Sequence, residues 1–253
     1  MPIKEAIKRG LRYIINGVPN ITLRASVSVL NPSSKLEGKK ILLTGGSRGI
    51  GYAMAKKFVS EGAKVVITGR NEHSLKISAG ELSCRYLVLD VTKTEEFEDA
   101  IERADNMLGG LNCLVNNAGI SLHEPSFFDV TPQTFDKQIN TNLRSDVFLI
   151  QCFIKHILKK GTGGGNVLCV SSEVGELADN RPYGWTKTAI NSVVRGLASN
   201  FAKDGIRINA ISPGITCSEM TGVTSNNLYI RTNSTERAYL PEEIAEISTF
   251  LLS

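Results

Sequence analysis

The sequence predicts an α/β fold, a doubly wound parallel sheet with helices on both faces, built as a single domain. From Lys39 onward, short apolar runs alternate with segments of helical spacing, beginning with KILLT at 40–44 and the periodic segment 50–61. The strand-like runs are apolar almost throughout, as expected of parallel strands that are covered on both faces. The 253 residues are enough to bury one large core.

The remaining strands follow in order along the chain. KVVIT (64–68) and YLVLD (86–90) are predicted as the second and third strands, because both are rich in β-branched or large apolar residues. NCLVNNAG, NVLCVSS and IRINAIS are predicted as the fourth, fifth and sixth strands. A strand followed by a helix, repeated in this way, is typical of right-handed parallel crossovers.

Helix boundaries are predicted from capping residues. Thr92, with Glu95 three residues later, has capping-box spacing and is predicted to open the helix after the third strand. Thr131 and Pro132 are predicted to open a long helix that ends near residue 159. Two more helices are predicted, one over 183–203 and one that begins at Pro241.

Composition and charge exclude several classes of protein. No run approaches the ~20 apolar residues of a membrane span, and the N-terminus lacks the apolar core of a secretory signal, so a cytoplasmic location is expected. The five cysteines are odd in number and widely spaced, which predicts free thiols, and no cysteine–histidine spacing indicates a metal site. The whole chain has a net charge of +4; residues 1–36 carry +5, so the remaining residues carry −1. Because the folded domain has no basic excess, no nucleic-acid partner is expected.

The two ends of the chain differ from the central pattern. Residues 1–36 are interpreted as a basic extension, in which Ile3, Ile7 and Leu11 fit an amphipathic helix. Such a helix would suit a partner subunit or an anionic membrane, but a locally ordered tail is the favoured interpretation and membrane binding is not expected. The domain is assigned to 37–253.

The stretch LLTGGSRGIG (42–51) joins the first strand to the first helix and contains four glycines. A helix N-terminus presents unpaired backbone N–H groups and a partial positive charge, so glycines there allow a pyrophosphate to approach the main chain. A tight structural turn is the alternative. The position after the first strand favours the phosphate site.

Four ordered motifs strengthen this interpretation. TGGSRGIG, NNAG (116–119), YGWTK (183–187) and PG (213–214) resemble the signature motifs of the short-chain dehydrogenase/reductase family. They extend over about 170 residues in the family's order. The resemblance implies a Rossmann-type fold, hydride transfer and a homo-oligomer, a dimer or tetramer. It also implies that the chain lacks the family's final C-terminal strand, either through a missing segment or, less favoured, through natural shortening.

The resemblance also implies a set of cofactor contacts. Arg70, at the end of the second strand, stands where a NAD site usually has an acidic residue, so NADP is predicted over NAD, with Arg48 as a second cation for the 2′-phosphate. The residues that the resemblance assigns to the cofactor are Gly45, Ser47, Arg48, Gly49, Ile50, Gly51, Arg70, Asp90, Val91, Asn117, Ala118, Gly119, Tyr183, Lys187, Pro213, Gly214, Thr216 and Ser218.

The predicted chemistry depends on Tyr183 and Lys187, which lie one turn apart on one helix face. A phenol with a pKa near ~10 is a poor base at neutral pH unless a nearby cation stabilises its phenolate, and Lys187 would be that cation. The resemblance assigns Ser172 to the reacting oxygen, with Ser171 as an alternative, and Asn142 to a water relay, with Asn140 as a weaker candidate.

Three functions are compatible with these residues. The first is an NADP-dependent oxidoreductase that acts on an alcohol or ketone, and a 3-oxoacyl-thioester (acyl carrier protein) reductase is a narrower alternative. The third is a non-catalytic dinucleotide-binding sensor or scaffold, which would not need all four of Asn142, Ser172, Tyr183 and Lys187.

Overall fold

The sheet of this computed structural model has six parallel strands in the order β3-β2-β1-β4-β5-β6, within the described residues 22–24, 34–161, 163–231 and 235–253. The strands are β1 (Lys40–Thr44), β2 (Lys64–Gly69), β3 (Arg85–Val88), β4 (Cys113–Asn116), β5 (Gly165–Val170) and β6 (Ile206–Ile211). The chain winds outward from β1 in one direction and then from β4 in the other. Ligands bind at such a reversal of strand order, beyond the carboxyl ends of the strands.

Seven α-helices cover the two faces of the sheet in the described residues. They are α1 (Gly49–Ser60), α2 (Glu72–Leu82), α3 (Phe97–Leu108), α4 (Pro132–Gln138), α5 (Ser145–Lys160), α6 (Pro182–Phe201) and α7 (Pro241–Leu252). Side chains alternate along each strand, so Leu42 and Leu114 pack with α3, α5 and α6, whereas Ile41 and Cys113 pack with α1, α2 and α7. The predicted doubly wound fold is confirmed.

Two helix predictions are wrong in detail. The helix opened by Thr131 is interrupted by a π-helical turn, Ile139–Arg144, which divides it into α4 and α5. Thr92 does not cap a helix; its hydroxyl donates to Asp90 Oδ1 at 2.8 Å, and a short 3₁₀ turn, Thr94–Glu96, precedes α3. Spacing identified a capping box, but the carboxylate two residues earlier competes for the same hydroxyl.

The N-terminal segment is described only in part. The predicted amphipathic helix lies outside the described residues. Leu36, which the sequence analysis assigns to the extension, is completely buried against the core beside α1, and its N–H donates to the Glu61 carbonyl at 3.0 Å. The folded domain therefore includes Leu36.

A buried lysine joins the first and last helices. Lys57 in α1 contacts Glu61 at 2.9 Å and Glu246 of α7 at 2.7 Å, and its side chain is 9% exposed. Burial acts to lower the pKa of Lys57, but hydrogen bonds to the two carboxylates outweigh this and raise it. The ion pair is therefore present at neutral pH, and its contribution is lost only as the pH rises through that raised pKa.

We expect Lys57→Ala to lower the free energy of unfolding by about 3 kcal/mol at pH ~7, because it removes the cation that contacts the buried Glu61 carboxylate. Urea denaturation measures the change. The matched control is Lys56→Ala on the exposed side of α1, which should change stability by less than ~0.5 kcal/mol. Equal effects of the two substitutions would contradict this account.

Candidate active site

The ends of β1 and β4 are tied together at the reversal of strand order. The Thr44 hydroxyl accepts hydrogen bonds from the backbone N–H groups of Asn117 and Ala118, both at 3.0 Å. The Asn117 side-chain amide donates back to the carbonyls of Thr44 at 2.9 Å and Gly45 at 3.0 Å. The predicted cofactor residues Asn117 and Ala118 thus also fix the start of the glycine loop.

The glycine loop leaves the N-terminus of α1 open. Arg48, at the N-cap, makes no side-chain capping bond to this helix, and the first turn contains no acidic residue. A Cβ at Gly51 would lie 2.1 Å from the Gly45 carbonyl oxygen, so the loop packs too tightly for any side chain there. Gly49 has φ +55° and is exposed, and a Cβ added to it would have only Ser218 within 4 Å among the described residues. Free amides and an exposed glycine fit a pyrophosphate group.

The rest of this loop closes against its neighbours. Ser47 is half-buried, and its carbonyl accepts a hydrogen bond from the Ser78 hydroxyl at 3.0 Å. Ile50, also half-buried, packs against the core on the α1 side. These two predicted cofactor residues therefore support the loop.

Arg70 and Asp90 lie together where β2 and β3 end. Partial burial acts to raise the pKa of Asp90, but hydrogen bonds from Thr92 and the charges of Arg70 and Lys93 hold it below its usual value. Asp90 is thus ionised at neutral pH, and Val91 beside it is buried. The exposed Arg70 side chain provides a positive charge at this end of the cleft.

Arg48 has a protein partner that the sequence analysis does not identify. Its guanidinium contacts the Glu219 carboxylate at 2.5 Å, and both side chains are 75% exposed. Glu219 belongs to the segment that follows β6, so this pair crosses from the glycine loop to the far side of the cleft. Arg48 and Glu219 are 171 residues apart in the sequence, and the residues next to each of them give no indication of this contact.

Lys187, Asn142 and Tyr183 meet at the carboxyl end of β4. Lys187 is 4% exposed, and its ammonium donates to the Val170 carbonyl at 2.7 Å and lies 5.7 Å from the centre of the Tyr183 ring. Asn142 is completely buried and exchanges two hydrogen bonds of 2.8 Å with the backbone of Ile120. A Cβ at Gly119 would lie 3.4 Å from Asn142 Oδ1 and 3.8 Å from Lys187 Nζ, so both groups converge there.

The π-helical turn explains the position of Asn142. Such turns add a residue to each helical repeat and are frequent at functional sites. Asn142 lies inside the turn and faces the loop after β4, whereas its alternative, Asn140, is half-buried and makes no side-chain bond to the described residues of that loop. The structure therefore brings Asn142, rather than Asn140, to the lysine.

Ser171 and Ser172 differ in what surrounds them. Ser171 is 3% exposed, and its hydroxyl donates to the Lys187 carbonyl at 3.3 Å, which ties β5 to α6. Ser172 is half-buried and in extended conformation just before a 3₁₀ turn, Glu173–Glu176. Ser171 is engaged in holding the helix, so Ser172 is the serine at the open edge.

The segment after β6 returns over the cleft. Pro213 is buried and its carbonyl accepts from the Glu173 N–H at 2.9 Å, while a Cβ at Gly214 would lie 2.9 Å from the Glu173 carboxylate. The Thr216 hydroxyl donates to the Gly214 carbonyl at 2.9 Å, and the Ser218 hydroxyl to the Thr216 carbonyl at 3.2 Å. These contacts fold the segment into a compact turn above the glycine loop.

Two further contacts hold this covering segment. His123 Nε2 lies 2.9 Å from the Met220 carbonyl oxygen, which joins the loop after β4 to the segment. From the N-terminal side, the Leu23 carbonyl accepts from the Leu228 N–H at 2.8 Å, and the Leu23 side chain packs against the buried cluster of Leu228, Ala238 and Leu240. Residues 22–24 thus contact the segment that covers the cleft.

Charged residues near Ser172 have protein partners. The Glu176 carboxylate accepts from Asn191 at 2.8 Å and from Arg195 at 3.2 Å, and Arg181 donates to Asp179 at 3.1 Å. Asp179 Oδ2 is nevertheless buried without a hydrogen-bond donor among the described residues.

The family model described as short chain dehydrogenase matches residues 39–228. The chain belongs to this family. It is therefore an oxidoreductase that transfers hydride and binds a nicotinamide dinucleotide, and the predictions of family and reaction class are confirmed.

Individual relatives share about a third of their residues with this chain. Gluconate 5-dehydrogenase of Gluconobacter oxydans (strain 621H) is 33% identical over 192 residues, which cover 74% of each chain. A 3-oxoacyl-[acyl-carrier-protein] reductase of Chlamydia pneumoniae is 32% identical and covers 86% of this chain and 91% of its own.

Solved structures share the fold over most of the chain. A 3-ketoacyl-(acyl-carrier-protein) reductase from Brucella melitensis, complexed with NADH, is 31% identical with a TM-score of 0.79 and covers 86% of this chain and 92% of its own. A short chain dehydrogenase from Mycobacterium smegmatis also has a TM-score of 0.79, at 27% identity, and covers 90% of this chain and 91% of its own.

Substitutions at two glycines of the loop distinguish an effect on stability from an effect on cofactor binding. Gly51→Ala should lower the free energy of unfolding by at least ~2 kcal/mol, because its Cβ has no space beside the Gly45 carbonyl. Gly49→Ala should cost only ~1 kcal/mol for its positive φ, yet weaken cofactor binding at least ~10-fold by filling the open helix end. Urea denaturation and fluorescence titration with NADPH measure the two effects, and unchanged cofactor binding by Gly49→Ala would contradict the site.

Proposed function

We propose that this protein is an NADP(H)-dependent dehydrogenase or reductase that interconverts an alcohol and a ketone. The observation that carries the proposal is the convergence of Asn142 and Lys187 on Gly119, with Tyr183 one helical turn away, at the edge where the N-terminus of α1 is uncapped. A proton-transfer group and an anion site thus face the same cleft.

Residues of the glycine loop, the ends of β2 and β3, the loop after β4 and the turn at 213–218 would hold the dinucleotide. When bound, the nicotinamide supplies or accepts the hydride. The free amides at the start of α1 fit its pyrophosphate, and Lys187 would bind the nicotinamide ribose. The exposed Arg70 would bind a 2′-phosphate.

The four proposed catalytic residues divide the proton chemistry. Tyr183 would exchange a proton with the substrate oxygen, and Ser172 would donate a hydrogen bond to the same oxygen. The Lys187 ammonium, fixed by the Val170 carbonyl, would stabilise the phenolate. Asn142, held rigidly on Ile120, would position a water that connects Lys187 to solvent.

The Arg48–Glu219 contact is compatible with binding of NADP. Both side chains are 75% exposed, and exposed ion pairs contribute little to stability, so a 2′-phosphate could replace Glu219 as the partner of Arg48. The name of the Brucella structure shows that NADH binds that relative. We retain NADP for this chain because Arg70 stands at the ribose end.

Two substrate classes have specific support from relatives. The names of two relatives indicate gluconate and 3-oxoacyl-[acyl-carrier-protein], which are a secondary alcohol and a ketone respectively. We propose a small alcohol or ketone first and a 3-oxoacyl thioester as the alternative. A screen of gluconate, ethyl 3-hydroxybutyrate and acetoacetyl-CoA, with NADP(H) and NAD(H), tests both classes.

The proposal includes a cytoplasmic location without membrane binding. All five cysteines are free thiols, which suits a cytoplasmic protein. Among the described residues, none of the helices combines the length and the hydrophobicity of a membrane span.

We expect NADP(H) to bind more tightly than NAD(H), because the exposed Arg70 can pair with the 2′-phosphate. Arg70→Asp should remove or reverse this preference, since loss of a charge-assisted hydrogen bond costs about 1.5 to 3 kcal/mol. Dissociation constants from fluorescence titration measure the change. Equal constants for the two cofactors in the unmutated protein would refute the assignment.

Tyr183→Phe should reduce turnover by at least ~10²-fold, because it removes the group that exchanges a proton with the substrate. Cofactor affinity should stay nearly constant, since the ring and its packing are retained. Steady-state rates and NADPH titrations separate the two. Ser171→Ala and Ser172→Ala form a matched pair, in which only the second should lower turnover strongly; retention of most activity by Tyr183→Phe would overturn the mechanism.

We propose a homo-oligomer, a dimer or tetramer. Phe135 of α4 and Phe148 and Leu158 of α5 are exposed by 37%, 39% and 47%, which favours a partner on these helices. Light scattering should give a mass of at least twice 27.5 kDa at micromolar concentration. A single species of monomeric mass would exclude this assembly.

A further inference from the structure

Asp146 is a buried carboxylate that the proposed mechanism does not use. It is 4% exposed and follows Asn142 by four residues, at the point where the π-helical turn becomes α5. Because the helical backbone is continuous from Pro132, no free helix N-terminus is available there to account for an acidic side chain. Burying a carboxylate costs free energy of desolvation, so an apolar residue at this position would be less costly to bury.

The surroundings of Asp146 connect it to the active site. Its backbone carbonyl accepts from the Asn116 side-chain amide at 3.2 Å, and Asn116 Oδ1 is buried without a hydrogen-bond donor among the described residues. Asn116 pairs with Cys169 on the neighbouring strand, and Val170, next along, holds the Lys187 ammonium. Asp146 is therefore tied through Asn116 to the pair of strands that anchors Lys187.

Outside its own helix, the charged and polar groups around Asp146 lie on α6, β4 and β5. Lys187 on α6 is the cation that interacts with it, β5 contributes the Cys169 thiol, and β4 contributes the neutral Asn116. Burial raises the pKa of Asp146 to about 7, and the charge of Lys187 and a hydrogen bond with Ser145 oppose that rise. Burial also raises the pKa of the Cys169 thiol well above its usual value, so the thiol stays neutral where Asp146 titrates.

We propose that Asp146 is a positioning residue that acts through Lys187 and sets the pH at which Tyr183 exchanges its proton. Above neutral pH, an anion behind the ammonium offsets part of the positive field that Lys187 exerts on the phenolate. The tyrosine then retains its proton to higher pH, which favours the acid that ketone reduction requires. The inference rests on the proposed roles of Tyr183 and Lys187.

The test is a titration of the tyrosinate absorbance in the near ultraviolet, which needs no substrate. The signal of Tyr183 among the six tyrosines is the difference between each protein and its Tyr183→Phe counterpart. Asp146→Asn removes the charge and keeps the shape. We expect the midpoint of that difference to move about 1 pH unit lower in Asp146→Asn, the order of effect that a single nearby charge has on an ionisable group.

A matched control is Asp105→Asn. Asp105 is also a buried carboxylate, 4% exposed, but it pairs with His156 and Lys160 between α3 and α5, away from the cleft. It should leave the Tyr183 midpoint unchanged. An Asp146→Asn midpoint equal to that of the unmutated protein would overturn the inference, and the Tyr183→Phe rates would still stand as the separate test of the proposed function.

Kinetics provide a second readout where a screened alcohol is oxidised. The low-pH limb of kcat/KM for alcohol oxidation should move down by the same interval in Asp146→Asn, while the dissociation constant of NADP stays constant. A purely structural role would lower activity at every pH and leave the limb in place, which would contradict the proposal.

Stability gives a third readout that depends on neither substrate nor active tyrosine. Because the folded protein holds the Asp146 proton to a pH about 7, ionisation of this carboxyl reduces stability as the pH rises from the usual carboxyl range to that value. Tm of Asp146→Asn relative to the unmutated protein should therefore increase between pH ~5 and pH ~8. A difference that is independent of pH over this range would show that Asp146 does not change its charge there, which would contradict its proposed ionisation near neutral pH.

Discussion

The four hydrogen bonds among Thr44, Gly45, Asn117 and Ala118 are the constraint on which the site depends. They join the carboxyl ends of β1 and β4, the two central strands from which the chain winds in opposite directions. At this junction, the glycine loop must pass close to Asn117, and a side chain at Gly51 would separate the two. The uncapped start of α1 and the loop that holds Asn142 are thereby fixed relative to each other.

The opposite wall of the cleft depends on buried polar groups rather than on apolar packing. Lys187 is anchored by a backbone carbonyl, Asn142 by a backbone amide and carbonyl, and Ser171 ties the lysine's helix to β5. Each of these three buried groups has a hydrogen-bond partner and hence one preferred orientation. A rigid cation beside a half-buried tyrosine is the arrangement that proton transfer needs.

The order of strands and helices and the positions of Tyr183, Lys187 and the glycine loop could be predicted from the sequence, because periodicity and ordered motifs report them directly. The π-helical turn could not, since nothing in INTNLR distinguishes it from an α-helical repeat. Asp146 and Glu219 were also missed. Glu219 contacts Arg48, and Asp146 is buried near the strands that anchor Lys187; these partners are distant in sequence, and a single chain carries no local signal for them.

The most direct test of the account is the structure of the protein with NADPH bound. The account predicts that the pyrophosphate lies on the amides at the start of α1, that the 2′-phosphate contacts Arg70, and that Lys187 Nζ binds the nicotinamide ribose beside the Tyr183 hydroxyl. A dinucleotide bound elsewhere, or bound here without contact to Lys187, would contradict the central claim that these residues form one site for hydride and proton transfer.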